Sequence, residues 1–404
     1  MQFKSAISFH PVVGFYCGAT AADIKKNGQL DLVVMELTPG SQTAAVFTQN
    51  AFCAAPVVLA KAHLKKAQPR ALVINSGNAN AGTGKQGLLD AQQTCAWVAE
   101  ELGCRPEEVL PFSTGVIGEN LPMEKIQAGL PDACADLNIE GWTEAAQGIM
   151  TTDTVEKMVS LQKDIDGTLV TLTGISKGSG MIHPNMATML SFIATDAKIT
   201  ADCLQQALNK AVNVSFNRIT VDGDTSTNDA CTVTATQAAD MALIDSTQSA
   251  AFEQFQQLLT EAMVVLAQKI VRDGEGATKF VSVKVESGRN SAECLKVAHA
   301  VALSPLVKTA LFASDPNWGR ILAAVGRAGL ESLDIEQVEI YLGDVCIVKN
   351  GGRAEDYTES AGQKVMSQSE ITITIRLNRG QANEEVWTTD FSYDYVKINA
   401  EYRT

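Results

Sequence analysis

The chain has 404 residues, more than a single hydrophobic core usually serves, so two or more lobes are expected. Its hydrophobic content of 46% excludes a chain that stays disordered for want of apolar residues. The formal net charge of −14 would repel phosphate backbones and anionic lipid. These numbers favour a small-molecule substrate and disfavour nucleic acid or membrane partners.

Two further patterns concern the compartment. The nine cysteines are scattered singly and form no CxxC pair, which predicts reduced thiols and no metal site. No apolar run approaches the roughly 20 residues of a membrane span, and the N-terminal segment lacks the apolar stretch of a secretory signal. We therefore expect a cytoplasmic protein.

The first half of the chain alternates between strand and helix patterns. Leu72 to Ile74 predicts a short strand, and 88–102 predicts a helix that follows a glycine-rich turn. Val109 to Phe112 predicts a second strand, after which Ser113-Thr-Gly115 has the composition of an ordinary turn. This alternation predicts an α/β fold in which mixed sheets are layered with helices.

The second half continues the same pattern. One helical stripe is predicted from apolar residues at spacings of three and four: Phe252, Phe255, Leu259, Met263, Leu266 and Ile270. Apolar residues alternate with polar ones in 281–286 and 371–376, which predicts two half-buried strands, and we expect them to be antiparallel. No repeat or low-complexity linker marks a domain boundary.

The segment 177–195 combines a glycine-rich turn, a proline and an apolar run that begins just after Thr188. A backbone cuts itself when a hydroxyl attacks the preceding carbonyl, which requires a small preceding residue and a strained backbone. Ala187 is small, and Gly178 and Gly180 permit unusual dihedral angles. Cleavage would give Thr188 a free α-amine with a pKa of about 8, able to take the proton of its own hydroxyl. From these residues alone, a simple strand-opening threonine is the favoured alternative.

The same segment, Lys-Gly-Ser-Gly-Met leading into Asn-Met-Ala-Thr-Met-Leu, resembles the ornithine acetyltransferase family, also called glutamate N-acetyltransferase. Seven further segments match that family in order and span nearly the whole chain: Asn75–Asn80, Ser113–Gly118, Met150–Thr154, Asp224–Asp229, Arg272–Lys279, Asp315–Arg320 and the tail from Asn399. Each alone is weak, but together they are highly specific. The resemblance implies an N-terminal-threonine-nucleophile architecture and an enzyme of arginine biosynthesis.

In this family acetyl passes from N2-acetylornithine to the threonine and then to the α-amine of glutamate. The resemblance makes Thr188 the nucleophile and places the oxyanion-hole donors at Thr114 and Gly115. It implies an α chain, 1–187, that carries the oxyanion-hole loop and the substrate lysine. It also implies a β chain, 188–404, that begins with the nucleophile and carries the site's glutamate and tail.

The resemblance also supplies the substrate-binding positions: Thr151, Lys177, Thr188, Glu275, Asn399 and Thr404. Thr152 is the adjacent alternative to Thr151 if the register differs by one residue. No metal or cofactor is implied, and the sequence leaves open whether acetyl-CoA also serves as an acetyl donor. In the family the two fragments stay associated and assemble into a heterotetramer.

Two rival functions were weighed against this one. Gly82-Thr-Gly-Lys-Gln-Gly87 fits the GxGxxG pattern of a nicotinamide-dependent dehydrogenase, but seven residues separate it from Ile74 at the end of the predicted strand. An N-terminal-nucleophile amidohydrolase or aminopeptidase would share the self-cleavage and transfer its acyl group to water. Only the acceptor pocket separates that second rival from an acetyltransferase.

Overall fold

The computed structural model describes residues 9–25, 28–183 and 189–401. It divides into two compact units. The first contains the described residues up to 217 together with 224–270. The second contains 218–223 and the described residues from 271 onward. The predicted cleavage point between residues 187 and 188 falls within the sequence of the first unit.

The first unit contains two sheets. Its strands are β1 Phe15–Thr20, β2 Leu32–Leu37, β3 Gln42–Phe47, β4 Ala71–Asn78, β5 Val109–Val116, β6 Lys157–Ile165, β7 Thr168–Lys177, β8 Leu190–Thr195 and β9 Ala230–Ala235. One sheet has the order β1-β2-β4-β5, and the other has the order β3-β9-β8-β7-β6. In each sheet one neighbouring pair is parallel, β4 with β5 and β8 with β9, and the other pairs are antiparallel.

The helices associated with this unit are α1 Ala55–Leu64, α2 Gly84–Leu102, α3 Met123–Ala135, α4 Trp142–Gly148, α5 Ala201–Asn213 and α6 Ala250–Arg272, with 3₁₀ turns at Pro106–Glu108 and Phe216–Arg218. Helix α5 begins where the Thr200 hydroxyl accepts a hydrogen bond from the Cys203 N–H. The six residues of the predicted stripe are all buried on α6, which confirms that prediction.

The first unit is layered. Along β2, Val33 and Met35 point into a core shared with residues of the other sheet, such as Phe192. Leu32 and Val34 point the other way, into a core with α2 and α3. Helix α5 packs on β3 and β9. Because every second strand residue faces each side, both faces of the β1-β2-β4-β5 sheet are buried. The predicted α/β fold with layered mixed sheets is confirmed.

Two element bounds differ from the sequence predictions in a way that matters for the site. Strand β4 runs from Ala71 to Asn78, well past Ile74, and α2 begins at Gly84. The predicted turn Ser113–Gly115 is wrong, because these residues lie inside β5. The parallel ladder with β4 continues through them, with Thr114 opposite Ser76. Pairing with a neighbouring strand outweighs the local turn composition.

The second unit contains one six-stranded sheet. Its strands are β10 Phe280–Gly288, β11 Glu339–Leu342, β12 Val345–Lys349, β13 Gly352–Arg353, β14 Glu370–Arg376 and β15 Ala382–Thr389. Its helices are α7 Ser291–Ala302, α8 Pro305–Phe312, α9 Trp318–Gly326, α10 Glu359–Met366 and α11 Tyr393–Glu401, with a 3₁₀ turn at Ile335–Gln337. The sheet order is β13-β12-β11-β14-β10-β15.

The strands predicted in 281–286 and 371–376 are present as β10 and β14. The expectation that they are antiparallel is wrong where the two strands pair with each other. They lie side by side and parallel, with Val281 opposite Ile371. Each has its antiparallel partner on the other side, β15 for β10 and β11 for β14. Alternation fixes which face of a strand is buried but carries no information on the direction of its neighbour.

The described helices differ in length and in apolar content. None of them is by itself both long and apolar enough to cross a bilayer, although the bent pair α7 and α8 would pass on combined length and composition.

Candidate active site

The predicted oxyanion-hole residues lie at the end of β5, where it pairs with β4. Thr114 is buried, with 5% of its surface exposed. Gly115 has φ +134° and lies opposite Gly77. A Cβ atom on Gly115 would lie 2.5 Å from the Asn78 backbone nitrogen, closer than any real side chain approaches. Only glycine fits at position 115. The backbone conformation that would point the Gly115 N–H group at an oxyanion therefore requires a glycine at this position.

Asparagine side chains fix the ends of these two strands. The Ser113 hydroxyl donates to Asn75 Oδ1 at 2.6 Å, and Asn75 Nδ2 donates to the Asn78 carbonyl at 2.8 Å. Asn228 Nδ2 donates to the carbonyls of Ser113 at 2.9 Å and Ala79 at 2.6 Å. These buried amides therefore hold Ser113, the residue before Thr114, and the chain at the end of β4, and they come from two of the matched sequence segments.

Asp153 connects the predicted substrate residues Thr151 and Lys177. Its carboxylate accepts hydrogen bonds from the Thr151 N–H at 3.0 Å and from the N–H of Gly178, next to Lys177, at 2.7 Å. It also accepts one from Lys157 Nζ at 2.5 Å, and this ion pair is almost completely buried. One carboxylate thus sets the positions of two segments that are far apart in sequence.

The charge of Asp153 is stabilised by its surroundings. Burial opposes ionisation, but the ammonium groups of Lys157 and Lys177 and the Gly178 N–H hold the pKa of Asp153 below its usual range. Asp153 therefore stays an anion at neutral pH. No sequence pattern gave Asp153 a role, although it lies in the matched segment 150–154 shortly before β6.

Thr151 and Thr152 were alternatives for one substrate contact. Both are half-buried, and the Thr152 hydroxyl makes a 2.7 Å hydrogen bond with the Ser179 hydroxyl. Thr151 contributes its backbone N–H to Asp153. The Thr152 hydroxyl is thus bonded to Ser179, whereas Thr151 is held to Asp153 through its backbone.

Lys25 is a further cation near these residues, and no sequence motif pointed to it. Its side chain lies directly over Gly77, and its Nζ donates to the Met150 carbonyl at 3.1 Å. Burial lowers the pKa of Lys25, the charges of Asp31 and Asp153 oppose that change, and Lys177 reinforces it. Because Lys25 contacts the strand opposite Gly115 and the residue before Thr151, it shows that these two parts of the site are neighbours.

Two predicted residues lie together in the second unit. Glu275 follows the end of α6 and is buried, with 8% of its surface exposed. Asn399 lies on α11, and its Nδ2 donates to the Glu275 carboxylate at 2.7 Å and to the Tyr395 carbonyl at 3.0 Å. Asn399 therefore lies on a helix that continues to Glu401 and is held to Glu275 by its side chain.

Three predicted residues, Ala187, Thr188 and Thr404, lie outside the described residues. The segment before them contains unusual backbone, since Gly178 has φ +149° and Met181 has φ +54°. A positive φ is uncommon at a non-glycine residue such as Met181 and costs conformational energy. On the other side, Leu190 opens β8 opposite Lys177 in β7.

Among residues 9–25, 28–183 and 189–401, no group of three or more His, Cys, Asp or Glu side chains is arranged to hold a metal ion. The nine cysteines are all free thiols. In the first unit, the predicted site residues thus lie among a glycine with positive φ at a strand end, buried amides, three lysines and the buried carboxylate of Asp153. With the layered fold, these features define an α/β enzyme.

Comparison with known proteins specifies the class further. Residues 16–404 match the model of the ArgJ family. The chain is 56% identical over 397 residues to the arginine biosynthesis bifunctional protein ArgJ of Pseudomonas fluorescens (strain Pf0-1), and 55% identical over 397 residues to the protein of the same name from Pseudomonas syringae pv. tomato. Each match covers 98% of this chain and 98% of the relative.

A crystal structure of arginine biosynthesis bifunctional protein ArgJ from Bacillus halodurans is 39% identical, with a TM-score of 0.51. The match covers 53% of this chain and 100% of the solved chain. The chain therefore belongs to the ArgJ family, which confirms the family resemblance noted in the sequence.

Proposed function

We propose that this protein is a self-cleaving glutamate N-acetyltransferase that moves acetyl from N2-acetylornithine to glutamate through an acetyl-Thr188 enzyme. The observation that carries the proposal is Gly115, with a positive φ and no room for a side chain, beside buried Thr114 and held against β4 next to Lys25 and the segment of Thr151. The names of the two curated relatives, which are 55–56% identical over nearly the full length, support the same pathway.

In the first half-reaction the Thr188 hydroxyl oxygen attacks the acetyl carbonyl carbon of N2-acetylornithine. The freed α-amine of Thr188 takes the hydroxyl proton. The Thr114 hydroxyl and the Gly115 N–H would donate to the tetrahedral oxyanion, and losing one such donor typically costs about a hundredfold or more in rate. When the C–N bond breaks, the proton passes to the leaving ornithine amine and an acetyl ester remains on Thr188.

In the second half-reaction the α-amine of glutamate attacks the same ester carbon, and Thr188 leaves as a hydroxyl. Both substrates carry an α-carboxylate, for which Lys177 is the proposed cation. Glu275 is the proposed partner of the ornithine side-chain ammonium, and Asn399 orients its carboxylate. Thr151 and Thr404 complete the proposed substrate contacts.

Cleavage between Ala187 and Thr188 is part of the proposal, and the sheet supports it. Strand β7 lies before the cut and pairs with β8 after it, and β3 pairs with β9. The two fragments, 1–187 and 188–404, would therefore stay joined by strand ladders of one five-stranded sheet. The solved relative, whose complete chain spans about half of this one, is consistent with a family that is cut into two chains.

The remaining parts of the proposal concern partners and location. The fragments would pair again into a heterotetramer, and the chemistry requires no metal or cofactor. The word bifunctional in the relatives' names supports acetyl-CoA as a second acetyl donor to Thr188. Nine free thiols favour the cytoplasm as the location.

The test of the transferase uses purified enzyme with N2-acetylornithine, with and without glutamate. We expect N-acetylglutamate to form only with glutamate, and intact-mass spectrometry to show acetyl on the fragment that begins with Thr188. Rapid acetate release that glutamate does not change would instead identify an N-terminal-nucleophile amidohydrolase. Glutamate acetylation by acetyl-CoA, measured in parallel, decides the donor range.

The test of cleavage compares Thr188→Ala with Thr309→Ala, a change of an exposed threonine on α8. Wild type and Thr309→Ala should run as two fragments on a denaturing gel and as one species under native conditions. Thr188→Ala should run as one uncut chain without activity. Two fragments in Thr188→Ala would disprove the proposed cleavage.

A further inference from the structure

The carboxylate of Asp390 joins two segments of the second unit. Asp390 directly follows β15 and is buried, with 1% of its surface exposed. Its Oδ1 accepts hydrogen bonds from the Thr278 N–H at 2.9 Å and the Lys279 N–H at 3.0 Å, and its Oδ2 accepts one from the Thr278 hydroxyl at 2.6 Å. The Thr389 hydroxyl donates to Oδ1 at 3.0 Å. None of the proposed chemistry above uses this group.

The backbone on both sides of Asp390 is held by helix α8. Lys308 Nζ donates to the Thr389 carbonyl, and the Phe391 N–H donates to the Lys308 carbonyl at 3.2 Å. Lys308 itself is buried, and its Nζ also donates to the Thr388 hydroxyl at 2.9 Å. Because these contacts fix the chain before and after it, Asp390 presents its two oxygens to Thr278 from a defined position.

The segment that this carboxylate binds also carries Glu275. Residues 273–279 connect α6 to β10. Within them Gly276 has φ +65°, and a Cβ atom there would lie 2.5 Å from the Tyr395 backbone nitrogen in the first turn of α11. The turn therefore lies tightly against the start of the helix that carries Asn399.

Two side chains from the last part of the chain thus determine where Glu275 lies. Asn399 binds the Glu275 carboxylate directly, at 2.7 Å. Asp390 binds Thr278, three positions further along the turn. Because three residues span at most about 10 Å of backbone, a displacement of Thr278 also moves Glu275. Asn399 can orient the carboxylate only when the turn itself is in place.

We propose that Asp390 is a positioning residue for substrate recognition: its carboxylate fixes the turn 273–279 and thereby directs Glu275 toward the side-chain ammonium of the acetyl donor. The inference rests on the proposed function, in which Glu275 is the partner of that ammonium. Asp390 does not touch the substrate. Loss of its hydrogen bonds should weaken the binding of N2-acetylornithine and leave that of glutamate, which has no side-chain ammonium, nearly unchanged.

The principal comparison is between Asp390→Ala and Asp390→Asn. Alanine removes every acceptor, whereas asparagine keeps one oxygen for the two N–H groups and gains an amide that can donate to the Thr278 hydroxyl oxygen. We expect Asp390→Ala to raise the KM for N2-acetylornithine about tenfold or more, and Asp390→Asn to stay within about threefold of wild type. The KM for glutamate should change little in both variants.

Hydrogen exchange of the Thr278 and Lys279 amides measures the release of the turn without any assay of activity. Both N–H groups donate to Asp390 Oδ1, so they should exchange faster in Asp390→Ala and at nearly the wild-type rate in Asp390→Asn. Unchanged exchange in Asp390→Ala would show that this carboxylate does not hold the turn, and would overturn the inference.

Thr278→Val is the second variant, for the case in which Asp390→Ala does not fold. It keeps the shape of the side chain and the buried carboxylate and removes only the 2.6 Å hydrogen bond of the hydroxyl. We expect the KM for N2-acetylornithine to rise about three- to tenfold. Combined with Glu275→Gln, Thr278→Val should cause no further rise, since both changes act through the Glu275 carboxylate.

Glu293→Ala is the matched control for the loss of a carboxylate in the same unit. Glu293 lies on α7, its side chain is 11% exposed, and its carboxylate lies 3.1 Å from Arg379 Nε. The change should destabilise the unit without reaching the turn 273–279, so both KM values should stay near those of wild type. A rise in the KM for N2-acetylornithine equal to that in Asp390→Ala would identify general destabilisation as the cause and overturn the inference.

The failure of this inference can be told from the failure of the proposed function by the Glu275→Gln variant. If Glu275→Gln raises the KM for N2-acetylornithine but Asp390→Ala does not, or Thr278→Val does not when Asp390→Ala fails to fold, only this inference is overturned. A further rise in the double variant, or an equal loss in Asp390→Asn and Asp390→Ala, has the same meaning. A wild type that transfers no acetyl, or a Glu275→Gln variant with unchanged KM, would instead remove the proposed role of Glu275 and this inference together.

Discussion

Gly115 and Gly77 face each other across β5 and β4 so closely that a Cβ atom on Gly115 would lie 2.3 Å from the Gly77 carbonyl carbon. Gly77 also has a positive φ, +98°, and the Lys25 side chain lies on its outer side. A shift of the backbone at Gly115 or at Gly77 would therefore disturb the neighbouring strand or the Lys25 side chain. The proposed oxyanion hole is therefore built on a contact that tolerates no side chain.

Gly115→Ala is predicted to displace the end of β5 and to lower kcat about a hundredfold or more, because the N–H group no longer points at the oxyanion. Gly118→Ala is the matched control. Gly118 also has a positive φ, +85°, but a Cβ atom there would meet no atom within 4 Å. The Gly118→Ala variant should lower the free energy of unfolding by about 1 kcal/mol and change kcat little. Equal kcat in the two variants would contradict the assignment.

Glu275→Gln is predicted to raise the KM for N2-acetylornithine about 10- to 100-fold, since a hydrogen bond to a charged group contributes about 1.5–3 kcal/mol. The KM for glutamate, which has no side-chain ammonium, should change little. Initial rates with each substrate varied separately check this. A similar rise for both substrates would show that Glu275 does not recognise the ammonium.

Asn399→Ala is predicted to give a smaller rise in the same KM, because it removes the 2.7 Å hydrogen bond that orients the Glu275 carboxylate but leaves its charge. In the double variant the two effects should not add, since both act through one carboxylate. Lys397→Ala, which changes another exposed residue of α11, is the control for disturbance of the helix. Full additivity in the double variant would contradict the coupling.

Asp153→Ala is predicted to lower the free energy of unfolding by about 3–5 kcal/mol, because it removes the carboxylate that compensates the buried ammonium of Lys157. Adding Lys157→Met should restore part of the loss. Urea unfolding of both variants measures this. Glu108→Ala breaks the exposed ion pair with Arg105 and should have a much smaller effect. Comparable losses in Glu108→Ala and Asp153→Ala would contradict the prediction.

Lys308 makes stability depend on pH. It is fully buried, donates to the Thr388 hydroxyl at 2.9 Å and to the Thr389 carbonyl, and lies over the Phe391 ring. Burial lowers the pKa of Lys308 from 10.5 to about 7, although the charges of Asp390 and Asp222 oppose the change. At a pH between about 7 and 10.5, the Lys308 amine is therefore protonated in the unfolded chain and neutral in the folded chain.

The contribution of Lys308 to stability therefore rises with pH between about 7 and 10.5, by at most about 1.4 kcal/mol per pH unit. Lys308→Met should remove this rise, and Lys296→Met, a change of an exposed lysine on α7, should keep it. Urea unfolding at several pH values from 7 to 9.5 measures the difference. Parallel curves for wild type and Lys308→Met would show that Lys308 does not titrate in this range.

The sequence by itself predicted the elements whose pattern is local. The stripe of α6 and the alternation in β10 and β14 were correct because a period of 3.6 or 2 already says which face of an element must be buried. The family resemblance was also carried by the sequence alone, since ordered motifs do not need coordinates. The resemblance named the candidate site residues, but it did not show which contacts hold those residues in place.

The tertiary structure decided what depends on contacts between distant segments. The parallel pairing of β10 with β14 and the strand conformation of Ser113–Gly115 come from neighbouring strands. Asp153 meets Gly178 across 25 residues, and the Ala230 N–H meets the Met189 carbonyl where β9 begins to pair with β8. Periodicity reports how a residue relates to its own element, whereas the carboxylates of this site act on backbone groups of other elements, and only folding brings those groups within hydrogen-bond distance.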